Sequence, residues 1–157
     1  MTETPDDDRF DLERFVRAQA GVHDRAVAEL RGGRKYGHWM WFVFPQLSGL
    51  GSSATARRYA IAGADEARAY LAHPVLGPRL REAAEAVVHA GRIEPELTAR
   101  RLLGTPDDLK LRSSATLFAA VAEDPAPFRA LLERYYEGEG DPRTLAMLAD
   151  GQAGTSA

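Results

Sequence analysis

The chain contains no cysteine and, among its 157 residues, only two lysines, Lys35 and Lys110. Without cysteine there can be no disulfide framework, thiolate metal site or cysteine nucleophile, though the compartment is left open. Long apolar runs are also missing. The longest, Trp39 to Pro45, is far shorter than the roughly 20 residues a membrane-spanning helix requires. Residues 1–10 are acidic and carry no apolar stretch, so they do not read as a signal peptide, and the cytoplasm is the expected compartment. No large charge of one sign exists. Twenty basic against 23 acidic residues leave a net charge of −3, which argues against a general nucleic-acid binder. The four histidines, His23, His38, His73 and His89, fit none of the common metal-ligand spacings, so neither a metal nor a cofactor is expected.

What is present favours helix. The basic residues are 18 arginines beside the two lysines, and there are 27 alanines; Ala, Arg and Leu are the strongest helix formers. A hydrophobic fraction of 45 % is enough for a real core, and the length suits one domain. The expected organisation is a disordered acidic leader over 1–9, a single all-α domain over 10–150 and a frayed tail over 151–157.

Start and stop signals follow one another along the chain. Asp11 is placed to cap a first helix from Leu12, interrupted at Gly21 and resumed to Gly32-Gly33. Ser52 or Ser53 caps a short helix through Tyr59, and Asp65 opens one that must stop before Pro74. His73 is placed to close that helix as a C-terminal cap. Pro78 falls in the first turn of the next, whose stripe is Leu80, Ala83, Ala84, Val87 and Val88. A short helix from Glu96 closes at Gly104. Thr105-Pro106-Asp107 reads as a cap, a first-turn proline and a first-turn acid, opening a helix to about Ala122. Two further starts come at Pro125 and at Asp141-Pro142. His38 to Gln46 is the one strand-like segment. A lone strand has no partner for its backbone groups, which favours a buried helix or helical turn there. The prediction is an all-α, irregular compact bundle of about seven to nine short helices.

Several motifs carry a resemblance: His38-Trp39-Met40-Trp41-Phe42-Val43-Phe44-Pro45-Gln46, then Gly49-Leu50-Gly51, His73-Pro74-Val75-Leu76-Gly77, and the run from Gly104 to Phe118. The chain resembles the domain-of-unknown-function family 1810, small bacterial single-domain proteins. The resemblance implies an all-α fold and a soluble bacterial protein, and it supplies no activity.

Function must then be read from residues. Trp39 and Trp41 offer faces for a planar ring or a cation, with His38 and Gln46 as hydrogen-bonding groups at the mouth. The plainer reading is a core plug. Asp107, Lys110, Ser113 and Ser114 lie at helical spacing, and Lys110 is one of the two lysines. They form either an internal polar network or an anion pocket with Lys110 as its point charge. Arg57, after Ser52-Ser53, adds a guanidinium that is either an anion ligand or a solvated surface group. The expectation is a site recognising a small anionic, ring-bearing ligand such as a nucleotide or ADP-ribose derivative. His38, Asp107 and Lys110 are its catalytic candidates, and Trp39, Trp41, Gln46, Arg57, Ser113 and Ser114 its ligand-binding candidates. Whether it is an enzyme stays open. The alternative is a protein-interaction or dimerisation module using segment 38–46, with the oligomeric state undetermined.

Overall fold

The stripe Leu80, Ala83, Ala84, Val87 and Val88 recurs at helical spacing, and all five side chains are buried. They belong to the longest helix of the computed structural model, which describes residues 8–156. In chain order the helices are α1 Glu13–Gln19, α2 His23–Arg31, α3 Met40–Val43, α4 Ala54–Arg58, α5 Ala64–Ala72, α6 Leu76–Ile93, α7 Ala99–Leu103, α8 Asp107–Val121, α9 Ala126–Tyr136 and α10 Pro142–Ser156. The fold is all-α, with ten helices among the described residues. The count exceeds the expected seven to nine because α3, α4 and α7 are one-turn pieces of four or five residues.

Two long helices organise the rest. The axis α6 packs against α2, α5 and α9, while α8 packs against α5, α7, α9 and α10. A chain of aromatic rings threads the interior, from Phe42 to Tyr59, Phe15, Tyr70, Phe118 and Phe128, with successive centroids 5.1–5.9 Å apart. Tilted and edge-on rings at these separations add to what area burial alone supplies. Burial pushes the Tyr70 phenol well above its ordinary pKa, and Gln19 Nε2 donates to its hydroxyl at 3.0 Å.

Segment 38–46 resolves into the single turn α3 followed by extended chain. Its strand-like character survives as one isolated parallel bridge, Leu47 to Ile61. Ser48 N donates to the Ile61 carbonyl at 2.8 Å, and Ile61 N donates to the Gln46 carbonyl at 2.9 Å. The preference for a helical turn holds for the aromatic half, and backbone pairing takes over after Pro45.

Three caps differ from expectation. The first helix is capped by Asp8, whose carboxylate accepts from Leu12 N at 2.5 Å and Glu13 N at 3.1 Å. Asp11 instead turns the chain with φ of +53°. Asp8 thus belongs to the helix entry and not to the leader. His73 works forward: its Nδ1 accepts from Val75 N and Leu76 N at 3.1 and 3.2 Å, capping α6 instead of closing α5. Pro106, not Thr105, occupies the N-cap of α8, with no side-chain cap bond. Ser53, Thr98 and Asp141 cap their helices with side-chain oxygens. The helical assignment of α10 continues to Ser156, into the segment read as a tail. The expected leader over residues 1–7 and residue 157 lie outside the described residues.

Candidate functional site

The two motifs of interest come from different parts of the chain and meet at one carboxylate. Asp107 opens α8. Its Oδ2 lies 3.0 Å from Lys35 Nζ and its Oδ1 3.7 Å from Lys110 Nζ. The Lys35 side chain is 8 % exposed and that of Lys110 24 %, so the first contact is buried and the second half-open. Each ammonium also faces a tryptophan. Lys35 sits 5.3 Å from the centroid of Trp39, and Lys110 sits 5.2 Å from that of Trp41. Both separations lie within the range of a cation–π attraction. The only two lysines of the sequence therefore converge on Asp107, each over one of its only two tryptophans.

The back of the site is anchored by Glu29 of α2. Its Oε1 accepts from Tyr36 N at 2.8 Å, from Gly37 N at 3.0 Å and from the Trp39 indole Nε1 at 3.0 Å. Burial raises the pKa of this carboxyl, but the Gly37, Tyr36 and Trp39 donors and the charge of Lys35 together outweigh burial and hold it below the ordinary carboxylate value. Gly37 is required there, because a Cβ would stand 2.8 Å from Trp39 Cδ1. Trp39 is 1 % exposed, which makes it a core residue with a satisfied N–H. Trp41 is half-buried, and so is Gln46.

Trp41, Gln46, Tyr59 and Lys110 line a narrow cleft together with Met40 and Phe44. Its volume is about 10 Å³, room for about one water. The one hydroxyl in its lining is that of Tyr59. Larger cavities open elsewhere: about 640 Å³ beside Leu47, Glu66 and Met147, and about 910 Å³ along Arg31, Arg81 and Arg92. Neither is lined by one of the candidate catalytic or ligand-binding residues.

The remaining candidates separate from the cleft. His38 is exposed and makes no hydrogen bond or ion pair with any described residue. Arg57 is exposed, and its guanidinium donates to the Ser52 carbonyl. Ser113 is drawn the other way: its hydroxyl donates to the Leu109 carbonyl at 3.2 Å and to Asp141 Oδ2 at 3.3 Å. Thr116 Oγ1 donates to the Arg112 carbonyl at 2.7 Å and accepts from Asp141 N at 2.8 Å. Ser113 and Thr116 thus tie α8 to the start of α10, the internal-network reading. The hydroxyl of Ser114 is buried with no partner.

Sequence reasoning missed Lys35, Glu29 and Tyr59. The signal for Lys35 was available, since it is the other lysine and lies four residues before Trp39. Glu29 and Tyr59 are ordinary residues on short helices, and only the fold brings them in.

Residues 9–148 match the family described as "protein of unknown function (DUF1810)". The chain belongs to this family. A solved structure is similar over nearly its whole length: the crystal structure of a conserved hypothetical protein from Mycobacterium tuberculosis is 54 % identical, with a TM-score of 0.86, covering 90 % of this chain and 99 % of the relative. No curated protein matches the chain. Membership in DUF1810 accounts for the fold and carries no activity with it. Among the described residues no group of three or more histidines or carboxylates is placed to hold a metal ion, and no helix is long and apolar enough to cross a membrane.

Proposed function

We propose that the chain binds a small anionic ligand bearing a planar ring, of the nucleotide or ADP-ribose type, at the cleft between Trp41 and Lys110. The observation that carries this reading is the convergence of both lysines on Asp107, each with its ammonium over a tryptophan ring. The roles divide by burial. Lys35 and Trp39 are buried behind Asp107 and Glu29 and do not line the cleft, while Lys110 and Trp41 do. Lys110 is the looser partner of Asp107, at 3.7 Å against 3.0 Å. Its ammonium rests on the face of Trp41, where a ligand ring would stack. An incoming anion draws Lys110 off that face and pairs with it, and the ring takes the vacated surface.

The reading is one of binding. Ser113 donates to Asp141 and His38 is exposed with no partner among the described residues, so neither supports a catalytic role beside Asp107 and Lys110. Ligands of this class are abundant in the bacterial cytoplasm, where we place the protein. Less supports the interaction module. Of the two tryptophans of segment 38–46, Trp39 is buried and Trp41 half-buried, and the exposed large apolar groups Tyr36 and Leu109 lie outside the segment.

The test is a thermal-shift screen of nucleotides, NAD derivatives and sugar phosphates against the wild type and Lys110→Ala. A ligand at 100 times its Kd stabilises by about 2.7 kcal/mol, and tryptophan fluorescence should change as Lys110 leaves Trp41. The reading falls if no member of the panel shifts the melt, or if Lys110→Ala retains the full shift.

A further inference from the structure

Arg14 is bound on every side. Its Nε donates to the Arg58 carbonyl at 2.8 Å. Nη1 donates to the carbonyls of Phe10 and Asp11 at 2.6 and 2.9 Å. Nη2 reaches the Ala60 carbonyl at 2.8 Å and Glu66 Oε2 at 3.0 Å. Its charge is answered by Glu66, and its donors are committed to the chain. The result is a rigid clasp that joins the carboxyl end of α4 to α1.

Over this clasp opens a cavity of about 420 Å³ lined by Asp11, Arg14, Arg17, Ala18, Arg58 and Tyr59. Arg17 reaches it from the last turn of α1 and Arg58 from the last turn of α4. Both side chains are exposed, and neither forms a hydrogen bond or ion pair with a described residue. Arg58 lies over the Tyr59 ring, 5.6 Å from its centroid. The lone carboxylate of the lining, Asp11, is exposed and pairs with neither arginine.

We infer that Arg17 and Arg58 form a binding site for a phosphate or pyrophosphate group, separate from Lys110. Planar guanidinium forks match the oxygens of a phosphate in pairs. Two forks carried on helices that Arg14 already fixes together lose less freedom on binding than two independent surface arginines would. The volume exceeds that of one phosphate and admits a pyrophosphate or a phosphorylated small molecule. Tyr59 lines both this cavity and the Trp41–Lys110 cleft, so the two are neighbours.

Inorganic pyrophosphate is the direct probe, titrated calorimetrically into the full chain at low ionic strength. The expected result is saturable binding that weakens at least tenfold in the double variant Arg17→Ala/Arg58→Ala and stays within twofold of wild type in Arg25→Ala, an exposed arginine of α2 outside both linings. Both arginine side chains are exposed, and the Arg58 carbonyl that Arg14 holds survives the substitution, so the double variant should melt like the wild type. The inference is overturned if pyrophosphate shows no saturable binding, if the double variant binds it as tightly as wild type, or if Arg25→Ala loses it equally.

Discussion

Lys35 and Asp107, remote in sequence, meet at 3.0 Å with the lysine side chain almost wholly buried. A buried ammonium requires a countercharge, and Asp107 supplies it. The contact also fastens the loop before α3 to the first turn of α8, so the closest approach of the two motifs is a structural tie. Lys110 shares the same carboxylate from a more open position.

The two lysines should therefore behave differently on substitution. Lys35→Met removes a charge-assisted contact and leaves Asp107 to Lys110 alone, which should cost about 2 kcal/mol. Lys110→Ala, at a longer and more exposed pair, should cost under about 1 kcal/mol. Urea midpoints of the two variants measure the difference. Equal losses would show that the Lys35 contact has no special weight.

Glu29 gives the fold a dependence on pH. Its folded carboxyl holds a proton less readily than the ordinary value of 4.5, because three N–H donors and Lys35 favour the charged form over the opposing effect of burial. As pH falls below that value the unfolded chain takes up the proton first. The stabilisation is complete above about pH 4.5 and fades as pH drops through the folded pKa. Glu29→Gln should lower stability at neutral pH and flatten the acid limb of a plot of stability against pH. An unchanged acid limb in this variant would assign the effect to other carboxylates.

Periodicity and punctuation carried most of the helices. Gly21, Gly104 and Asp141 mark ends and starts by local chemistry, which a sequence displays directly. The caps that went wrong depend on distance in space. Asp8 reaches over the turn at Asp11, and His73 serves the helix after it, choices decided by how the chain folds back. The site was legible in the same proportion. Trp41, Gln46, Asp107 and Lys110 stand together because their motifs are dense. Ser113 shares a helical face with Lys110 by spacing, yet its hydroxyl is shared between the Leu109 carbonyl and Asp141, the cap of α10, a partner that no local pattern announces.

Asp141 deserves a test on that account. Its Oδ2 accepts from Thr144 N at 3.0 Å, from Thr144 Oγ1 at 2.6 Å and from Ser113 Oγ at 3.3 Å. Asp141→Ala should cost about 1–2 kcal/mol through the lost cap. Ligand affinity at the cleft should be unaffected. Weakened binding in this variant would place Ser113 back among the ligand contacts.

Ser114 makes the opposite case. Its buried hydroxyl has no partner, so removing it takes away an unsatisfied group without breaking a hydrogen bond. Ser114→Ala should leave stability unchanged or raise it by up to about 1 kcal/mol. A clear loss by thermal melt would reveal a partner for the hydroxyl.

The sharpest packing constraint is at Gly77, where α5 turns into α6. A Cβ on this residue would stand 2.2 Å from the Leu71 carbonyl oxygen and 3.0 Å from its carbon, and backbone cannot swing aside as a side chain does. Gly77→Ala must therefore push α6 away from the end of α5, next to Tyr70 and the aromatic chain. The expected loss is about 2–3 kcal/mol. Gly63→Ala is the control, since its backbone is extended and a Cβ there meets nothing within 4 Å. If both substitutions melt alike, the close approach at Leu71 does not set the α5–α6 geometry. If only Gly77→Ala falls, the glycine of His73-Pro74-Val75-Leu76-Gly77 is there for want of space, and the motif marks packing and not a ligand.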